Sequence, residues 1–163
     1  MLIIALLISQ GDQLVTAAVP GGMVDHQTAG TALRVDQIHQ SWTDEGAMGF
    51  FKIAILFDLL FIVMYSLGGV IGGQLVRRDA VSPILKILGL MAMAAYFAFG
   101  ILDLCETLCQ IVQVFFTGGH DGLAGLAELV QPPKLVAFAI GFPVLAVSLI
   151  WLRLEKWRVN EAV

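Results

Sequence analysis

The sequence has few charged residues, few cysteines and almost no tyrosine. Only 13% of its 163 residues are Asp, Glu, Lys or Arg, whereas 58% are apolar and the mean hydropathy is +0.87. So little charge cannot cover the surface of a soluble domain of this length. Nine basic residues against thirteen acidic ones also provide no basic surface for nucleic acid. The composition therefore predicts an integral membrane protein that does not bind nucleic acid.

Sequence motifs that would identify a reaction or a cofactor are missing as well. There is no P-loop, dinucleotide fingerprint, nucleophile elbow or zincin motif. Cys105 and Cys109 stand four apart without a C-x-x-C, which favours packing over a metal or redox role. His26, His39 and His120 fall in polar segments, which argues against ligation of haem or chlorophyll within a bilayer. We predict no catalytic or metal-binding residue, and we expect lipid as the bound molecule.

The chain does contain long apolar segments. A helix needs about 20 residues to cross the hydrocarbon core, and we place such helices at 49–76, 84–116 and 135–152. A shorter apolar segment, 2–18, has no basic residue before it, so a retained short helix is favoured over a cleaved signal peptide. The predicted fold is all-α. It is one transmembrane bundle over 1–163, with three full spans and a short N-terminal apolar helix.

Two polar segments, 19–48 and 117–134, are predicted to lie outside the membrane. Within the first, Ala32, Val35, Ile38 and Trp42 recur at helical spacing, which indicates an amphipathic helix with Trp42 at the membrane interface. A loop with scattered apolar residues fits the same pattern. The connection between the helices at 49–76 and 84–116 is tight, so these two helices should be antiparallel neighbours.

The distribution of basic residues predicts the orientation. Three basic residues fall on one side of the predicted spans and six on the other. The smaller set is Arg34, Lys52 and Lys134, and the larger is Arg77, Arg78, Lys86, Arg153, Lys156 and Arg158. Because basic residues accumulate on the cytoplasmic side, the larger set and the C-terminus should be cytoplasmic.

Acidic residues lie inside two of the apolar segments, where an ionisable side chain is costly. Asp58 lies seven residues from Tyr65, and Asp103 lies seven from Tyr96, a spacing that keeps each pair on one helix face. The stripe of Asp103 continues through a polar seam of Glu106, Gln110 and Gln113. Counting from the basic helix ends places both aspartates at a similar depth near the non-cytoplasmic surface. Asp58, Tyr65, Tyr96, Asp103 and Glu106 therefore form the candidate site for a ligand or ion.

Two interpretations of these acids stay open. Clustered carboxylates raise one another's pKa and can hold a proton or a cation near neutral pH. Alternatively, the acids have a structural role and form hydrogen bonds to Tyr65, Tyr96, Trp42 or Lys52 that fix the helix packing. The structural role is favoured, because water near an interface reduces the cost of a carboxylate.

Glycines on the same helices predict close helix packing. Small residues four apart allow helix backbones to approach each other in lipid. The predicted packing positions are Gly68, Gly69, Gly72, Gly73, Gly89 and Gly100. We therefore expect the acids to face other helices and not acyl chains.

The chain resembles a group of small uncharacterised bacterial four-helix integral membrane proteins. The resemblance rests on a polar helix ending in Trp42, on the runs FDLLFIVMYSLGG and GILDLCETL, and on a last helix opening at Pro133 and Lys134. The group's pattern, an acid and a tyrosine followed by Asp-x-x-Glu-Asn, is matched by Asp58, Tyr65, Asp103 and Glu106, with Thr107 in place of Asn. The resemblance implies a bacterial inner-membrane bundle and no particular activity.

Three functions fit this sequence. The favoured one is a non-enzymatic membrane subunit that packs against other transmembrane helices, in a homo-oligomer or a larger complex. The alternative is a proton- or cation-linked carrier or channel that uses Asp58, Asp103 and Glu106. A lipid- or sterol-modifying enzyme with paired acids has only the carboxylates in its favour.

Overall fold

The computed structural model describes residues 13–161, and all regular structure in this range is helical. The prediction of an all-α chain is confirmed for this part. The elements are α1 (Met23–Gln27), α2 (Ala32–Asp44), α3 (Met48–Asp79), α4 (Pro83–Val112), a π-helical turn (Gln113–Thr117) that continues α4, and α5 (Asp121–Glu161).

Three helices are long and apolar enough to cross a membrane, as the sequence predicts. They are Met48–Asp79, Pro83–Thr117 and Asp121–Arg158, with a mean hydropathy of 2.2, 2.0 and 2.5 in their most apolar windows. Only 17%, 28% and 17% of the residues in these windows are buried, so most apolar side chains point outward. At 1.5 Å per residue each helix exceeds the roughly 30 Å hydrocarbon core, so its ends would extend into the headgroup regions.

The short helix predicted at 2–18 is not found in its described part. Residues 2–12 lie outside the described range, and 13–18 are not helical. Thr16 and Val19 exchange backbone hydrogen bonds of 3.1 and 3.2 Å, and the Thr16 hydroxyl also accepts the Val19 N–H. Threonine hydroxyls compete with helix hydrogen bonds in this way, and Pro20 follows directly. The apolar residues here serve the protein core, since Leu14 and Val19 are buried.

The last helix begins earlier than predicted. The sequence places an extramembrane segment at 117–134 and a helix at 135–152, whereas α5 runs without interruption from Asp121 to Glu161. The Pro132–Pro133 pair, which suggests a helix boundary, lies inside this helix. The two prolines remove two helix hydrogen bonds. Burial of Ala124, Ala127 and Val130, which precede the prolines on the same helix, compensates for that loss.

The backbone contacts divide the chain into two compact units. Unit 1 comprises the described part of Met1–Leu60 together with Leu104–Gln131, and unit 2 comprises Phe61–Asp103 with the described part of Pro132–Val163. The prediction of a single bundle domain stays a prediction.

Unit 1 contains a core built around α2. The amphipathic helix predicted from its apolar spacing is present, and Val35, Ile38 and Trp42 are buried. We expected Trp42 to lie at the protein surface, at the level of the membrane interface, but its side chain is buried. It is 0% exposed, and its Nε1–H donates to the Leu14 carbonyl over 2.8 Å. Phe51 packs against its ring at 4.5 Å between centroids.

Two aspartates fasten α2 to the turn before α5 within unit 1. Asp36 accepts the Gly119 N–H, and Asp121 accepts the Ala32 N–H, each over 2.7 Å. Gly118 ends the π-helical turn with a φ of +69°, a conformation that favours glycine. The buried face of α2 is held in place by these bonds at its N-terminal end.

Unit 2 is held by close backbone approach between α3 and α4. A Cβ atom added to Gly73 would stand 2.6 Å from the Gly89 carbonyl oxygen, and one added to Gly89 would stand 2.7 Å from the Gly73 oxygen. Gly69 lies against the Tyr96 ring, and Gly100 lies against the Ser66 hydroxyl. These positions have room for a hydrogen atom and for no larger substituent.

The two remaining predicted packing positions differ from each other. A Cβ atom on Gly72 would meet the Leu145 side chain of α5 at 3.2 Å, which is a packed position. Gly68 has nothing within 4 Å of such a Cβ atom. The sequence motif treats Gly68 and Gly72 as one pair, but of the two only Gly72 has a packed neighbour at this distance among the described residues.

Candidate functional site

Asp103 joins the three long helices of unit 2. It lies on α4, and its Oδ2 accepts a hydrogen bond from the Tyr65 hydroxyl on α3. Its Oδ1 lies 3.1 Å from Nζ of Lys134 on α5. The side chains of Lys134 and Asp103 are only 8% and 13% exposed. We call Tyr65, Asp103 and Lys134 the Asp103 cluster.

The Asp103 cluster is surrounded by aromatic rings. The Tyr65 ring stacks on Phe99 at 4.7 Å between centroids and meets Phe61 edge-on at 5.1 Å. Phe99 in turn contacts Phe138 at 5.2 Å. Because these rings limit access of water, the Asp103–Lys134 ion pair and the Tyr65 hydrogen bond contribute to the compensation of the buried charges.

The two tyrosines of the candidate site differ in their contacts. The seven-residue spacing predicts that each tyrosine shares a helix face with an acid of its own helix, and Tyr65 also donates a hydrogen bond to Asp103 on the neighbouring helix. Tyr96 is 8% exposed and packs over Gly69, and its hydroxyl bonds to no residue among 13–161. Helical spacing identifies a shared face and not the bonding partner.

Asp58 belongs to unit 1 and has a partner there. The Thr107 hydroxyl on α4 donates to its Oδ2 over 3.1 Å. Thr107 is 1% exposed. Because Asp58 and Asp103 lie in different units, their common depth stays a prediction.

The polar seam of α4 is buried in unit 1. Glu106 is 0% exposed, and Gln110 and Gln113 are each 2% exposed. The Gln113 amide donates to the Cys109 carbonyl over 3.2 Å and accepts the His120 N–H over 3.3 Å. The Gln110 Nε2 is buried and has no hydrogen-bond partner among the described residues. A buried amide of this kind needs a water molecule or a ligand to satisfy it.

A pair of histidines in unit 1 was not singled out by the sequence. The Nε2 atoms of His26 and His39 lie 2.9 Å apart, so one ring donates to the other. His26 is 2% exposed, and its ring stacks near Trp42 at 5.6 Å and contacts Phe51 at 5.0 Å. Burial, together with the nearby His39, lowers the pKa of His26 to about 3. We call His26 and His39 the imidazole pair.

Lys134 is a further residue that the sequence analysis did not include in the candidate site. We placed it in an extramembrane segment, whereas it lies inside α5 with its charge buried. Its only sequence signal is its position at the start of an apolar run, directly after Pro133. The imidazole pair has a weak signal too, because His39 lies on α2 one residue after Ile38, next to its buried face.

The described range contains no cluster of metal-ligating side chains. No group of three or more His, Cys, Asp or Glu side chains comes together among residues 13–161. Cys105 and Cys109 are free thiols, and Cys109 is buried. The described side chains supply carboxyl, hydroxyl, amide and ammonium groups, which can form hydrogen bonds and ion pairs and can exchange protons.

Comparisons with protein-family models, with curated proteins and with solved structures found no match for this chain. Its function must therefore be inferred from the geometry of the two units.

Proposed function

We propose that the chain is an integral membrane protein with no enzymatic activity, which acts as a helical subunit of a homo-oligomer or a larger membrane complex. The observation that carries this proposal is the outward apolar surface of the three long helices. Phe57, Met64 and Phe97 are exposed by 67%, 64% and 62%, and many other large apolar side chains of these helices are exposed too. Lipid or neighbouring helices must cover such a surface.

The structural role of the acids is part of this proposal. Asp103 directs both carboxylate oxygens at groups on neighbouring helices, Tyr65 on α3 and Lys134 on α5. A buried ion pair adds little net stability compared with apolar packing, but breaking it is costly, so it favours one arrangement of helices. The Asp103 cluster would thus keep unit 2 in a defined geometry for docking to other helices.

The finer architecture that we propose for the long helices is an antiparallel arrangement of neighbours. Successive contacts between α3 and α4 support the antiparallel part: Gly73 meets Gly89, Gly69 meets Tyr96, and Ser66 meets Gly100. Residue numbers fall along one helix as they rise along the other, which is the register of antiparallel helices.

The proposed location is the bacterial inner membrane, with the C-terminus in the cytoplasm. Six basic residues are assigned to the cytoplasmic side, against Arg34, Lys52 and Lys134 on the other. Since Lys134 is paired with Asp103 in the protein interior, only Arg34 and Lys52 oppose the larger set. That imbalance supports the orientation.

Two measurements test the proposal. The native protein should stay in the membrane pellet after an alkaline wash, because three apolar helices hold it there. After gentle detergent extraction it should migrate with a partner or as an oligomer, and cross-linking in the membrane should trap the same species. A lone monomer under both conditions would remove the subunit role, and release by alkali would remove the membrane assignment.

A second function is supported by the polar seam. Glu106 and Gln110 are buried one turn apart on α4, and the Gln110 amide has an unmet hydrogen-bonding requirement among the described residues. These are features of a proton- or cation-linked carrier or channel. A flux assay in proteoliposomes compares wild type with Asp58→Asn, Asp103→Asn and Glu106→Gln. The control is Glu45→Gln, at an exposed position. Loss of flux in the first three variants alone supports transport, and equal flux in all removes it.

A further inference from the structure

Four exposed basic residues gather at one end of unit 2. Arg77 lies at the end of α3, Lys86 in the first turn of α4, and Arg153 and Arg158 near the end of α5. All four are exposed, and none forms an ion pair with a side chain of residues 13–158. We call these four residues the basic end.

Hydrogen bonds bring these helix ends together. Asp79 of α3 accepts Lys156 Nζ of α5 over 2.7 Å. Glu155 of α5 accepts the Val81 and Ser82 N–H groups, each over 2.9 Å, at the start of α4. A buried apolar cluster lies at the same end, formed by Val76, Ala80, Leu85 and Leu152. The basic end is therefore a feature of the packed structure.

The carboxylates of Asp79 and Glu155, at this end of unit 2, bind other groups. Asp79 binds both Arg78 and Lys156, at 2.9 and 2.7 Å. Glu155 satisfies two backbone N–H groups that precede the first turn of α4. Asp79 and Glu155 are thus bound to other groups, and neither forms an ion pair with a cation of the basic end.

Exposed apolar side chains flank the same cations. Ile84 is 59% exposed in the same helical turn as Lys86, and Leu154 and Trp157 are 48% and 59% exposed in the part of α5 that carries Arg153 and Arg158. A soluble polyanion would meet such apolar groups with no gain. A lipid leaflet accommodates both, because acyl chains contact the apolar groups while phosphates contact the cations.

We propose that the basic end binds the phosphate headgroups of anionic phospholipids in the leaflet that surrounds this end of unit 2. This rests on the proposed membrane location. Arg77 and Arg153 would contact headgroup phosphates, since guanidinium groups form paired hydrogen bonds with phosphate oxygens. Trp157 would hold the end of α5 at headgroup level.

Native mass spectrometry of the full chain tests this, after reconstitution in equal amounts of phosphatidylglycerol and phosphatidylcholine. Wild type should retain the anionic lipid in excess. The variant Arg77→Gln/Arg153→Gln should lose affinity for it by about fivefold for each cation removed. The charge-matched control is Arg34→Gln/Lys52→Gln in unit 1. Arg77→Lys/Arg153→Lys, which keeps the charge and the long side chains, should bind within a few-fold of wild type.

Several results would overturn the proposal. Equal retention of the two lipids by wild type would show that the cations select no headgroup. An equal loss in the Arg34→Gln/Lys52→Gln control would assign the preference to overall charge. Displacement of the anionic lipid by an excess of inorganic phosphate would indicate a site for a free anion. The alkaline wash separates these results from failure of the membrane assignment, because protein that stays in the pellet without lipid preference refutes only the basic end.

Discussion

Lys134 and Asp103 lie 31 residues apart in the chain, and their side chains meet at 3.1 Å in the interior of unit 2. The ammonium group comes from α5 and the carboxylate from α4, and each side chain is less than one-seventh exposed. Each charge therefore depends on the other for much of the compensation that water would provide.

Removal of one member of this pair should destabilise the protein strongly. Asp103→Leu or Lys134→Met alone leaves a buried charge and should lower the free energy of unfolding by about 3–5 kcal/mol. The double variant should lose less than the sum of the two, because no charge is stranded. Unfolding in mixed micelles with increasing dodecyl sulfate measures all three variants. Strictly additive losses would show that the pair is not coupled.

The glycines of α3 allow a matched comparison. Gly73→Ala forces a methyl group against the Gly89 carbonyl oxygen, 2.6 Å away, so α3 and α4 must separate. We expect a loss of about 1–3 kcal/mol in unfolding free energy. Gly68→Ala is the control, since nothing lies within 4 Å and alanine favours the helix by up to about 1 kcal/mol. The same micelle titration measures both, and equal effects at the two sites would contradict the packing described.

Acid should destabilise unit 1 through His26. The pKa of His26 is lowered from 6.5 to about 3 by burial and by the neighbouring His39. Between these values the unfolded state binds a proton that the folded state does not. The contribution of neutral His26 to the free energy of unfolding is therefore fully present above pH 6.5. It is lost as the pH falls towards 3, by up to about 1.4 kcal/mol per pH unit. Burial also lowers the pKa of His39, which acts in the same direction.

His26→Phe tests this origin of the acid sensitivity. Phenylalanine keeps an aromatic ring among Trp42 and Phe51 but cannot bind a proton. Unfolding free energies measured from pH 8 to pH 4 should fall less steeply in the variant than in wild type. A variant with the wild-type slope would show that the sensitivity arises elsewhere.

Trp42 should be sensitive even to a conservative change. Trp42→Phe removes the Nε1–H that binds the Leu14 carbonyl over 2.8 Å, at a position that is 0% exposed. A buried carbonyl without its donor costs about 1–3 kcal/mol. Trp157→Phe is the control, because Trp157 is 59% exposed and should change stability by less than about 0.5 kcal/mol. Thermal unfolding in detergent compares the two, and a similar small effect at both positions would rule out the proposed contribution of this bond.

The sequence by itself determined the features that follow from local patterns. Long apolar segments predicted three helices capable of crossing a membrane, and the spacing of Val35, Ile38 and Trp42 predicted α2. Hydropathy and helical period act over a few turns, so the residues within one segment carry the signal. The predicted helix boundary at Pro132 and Pro133 was nevertheless wrong. Burial of the alanines in the preceding turns stabilises the helix by more than the prolines destabilise it.

Tertiary structure alone decided which side chains meet. Nothing in the spacing of Tyr65, Asp103 and Lys134 shows that one carboxylate joins three helices, because that contact depends on the rotation of each helix about its axis. The imidazole pair likewise depends on how α1 packs on α2. Packing sets these rotations, and Gly73 against Gly89 shows how one backbone contact fixes the distance between helices. Composition and period identify the helices, whereas long-range packing selects the partners of each polar group.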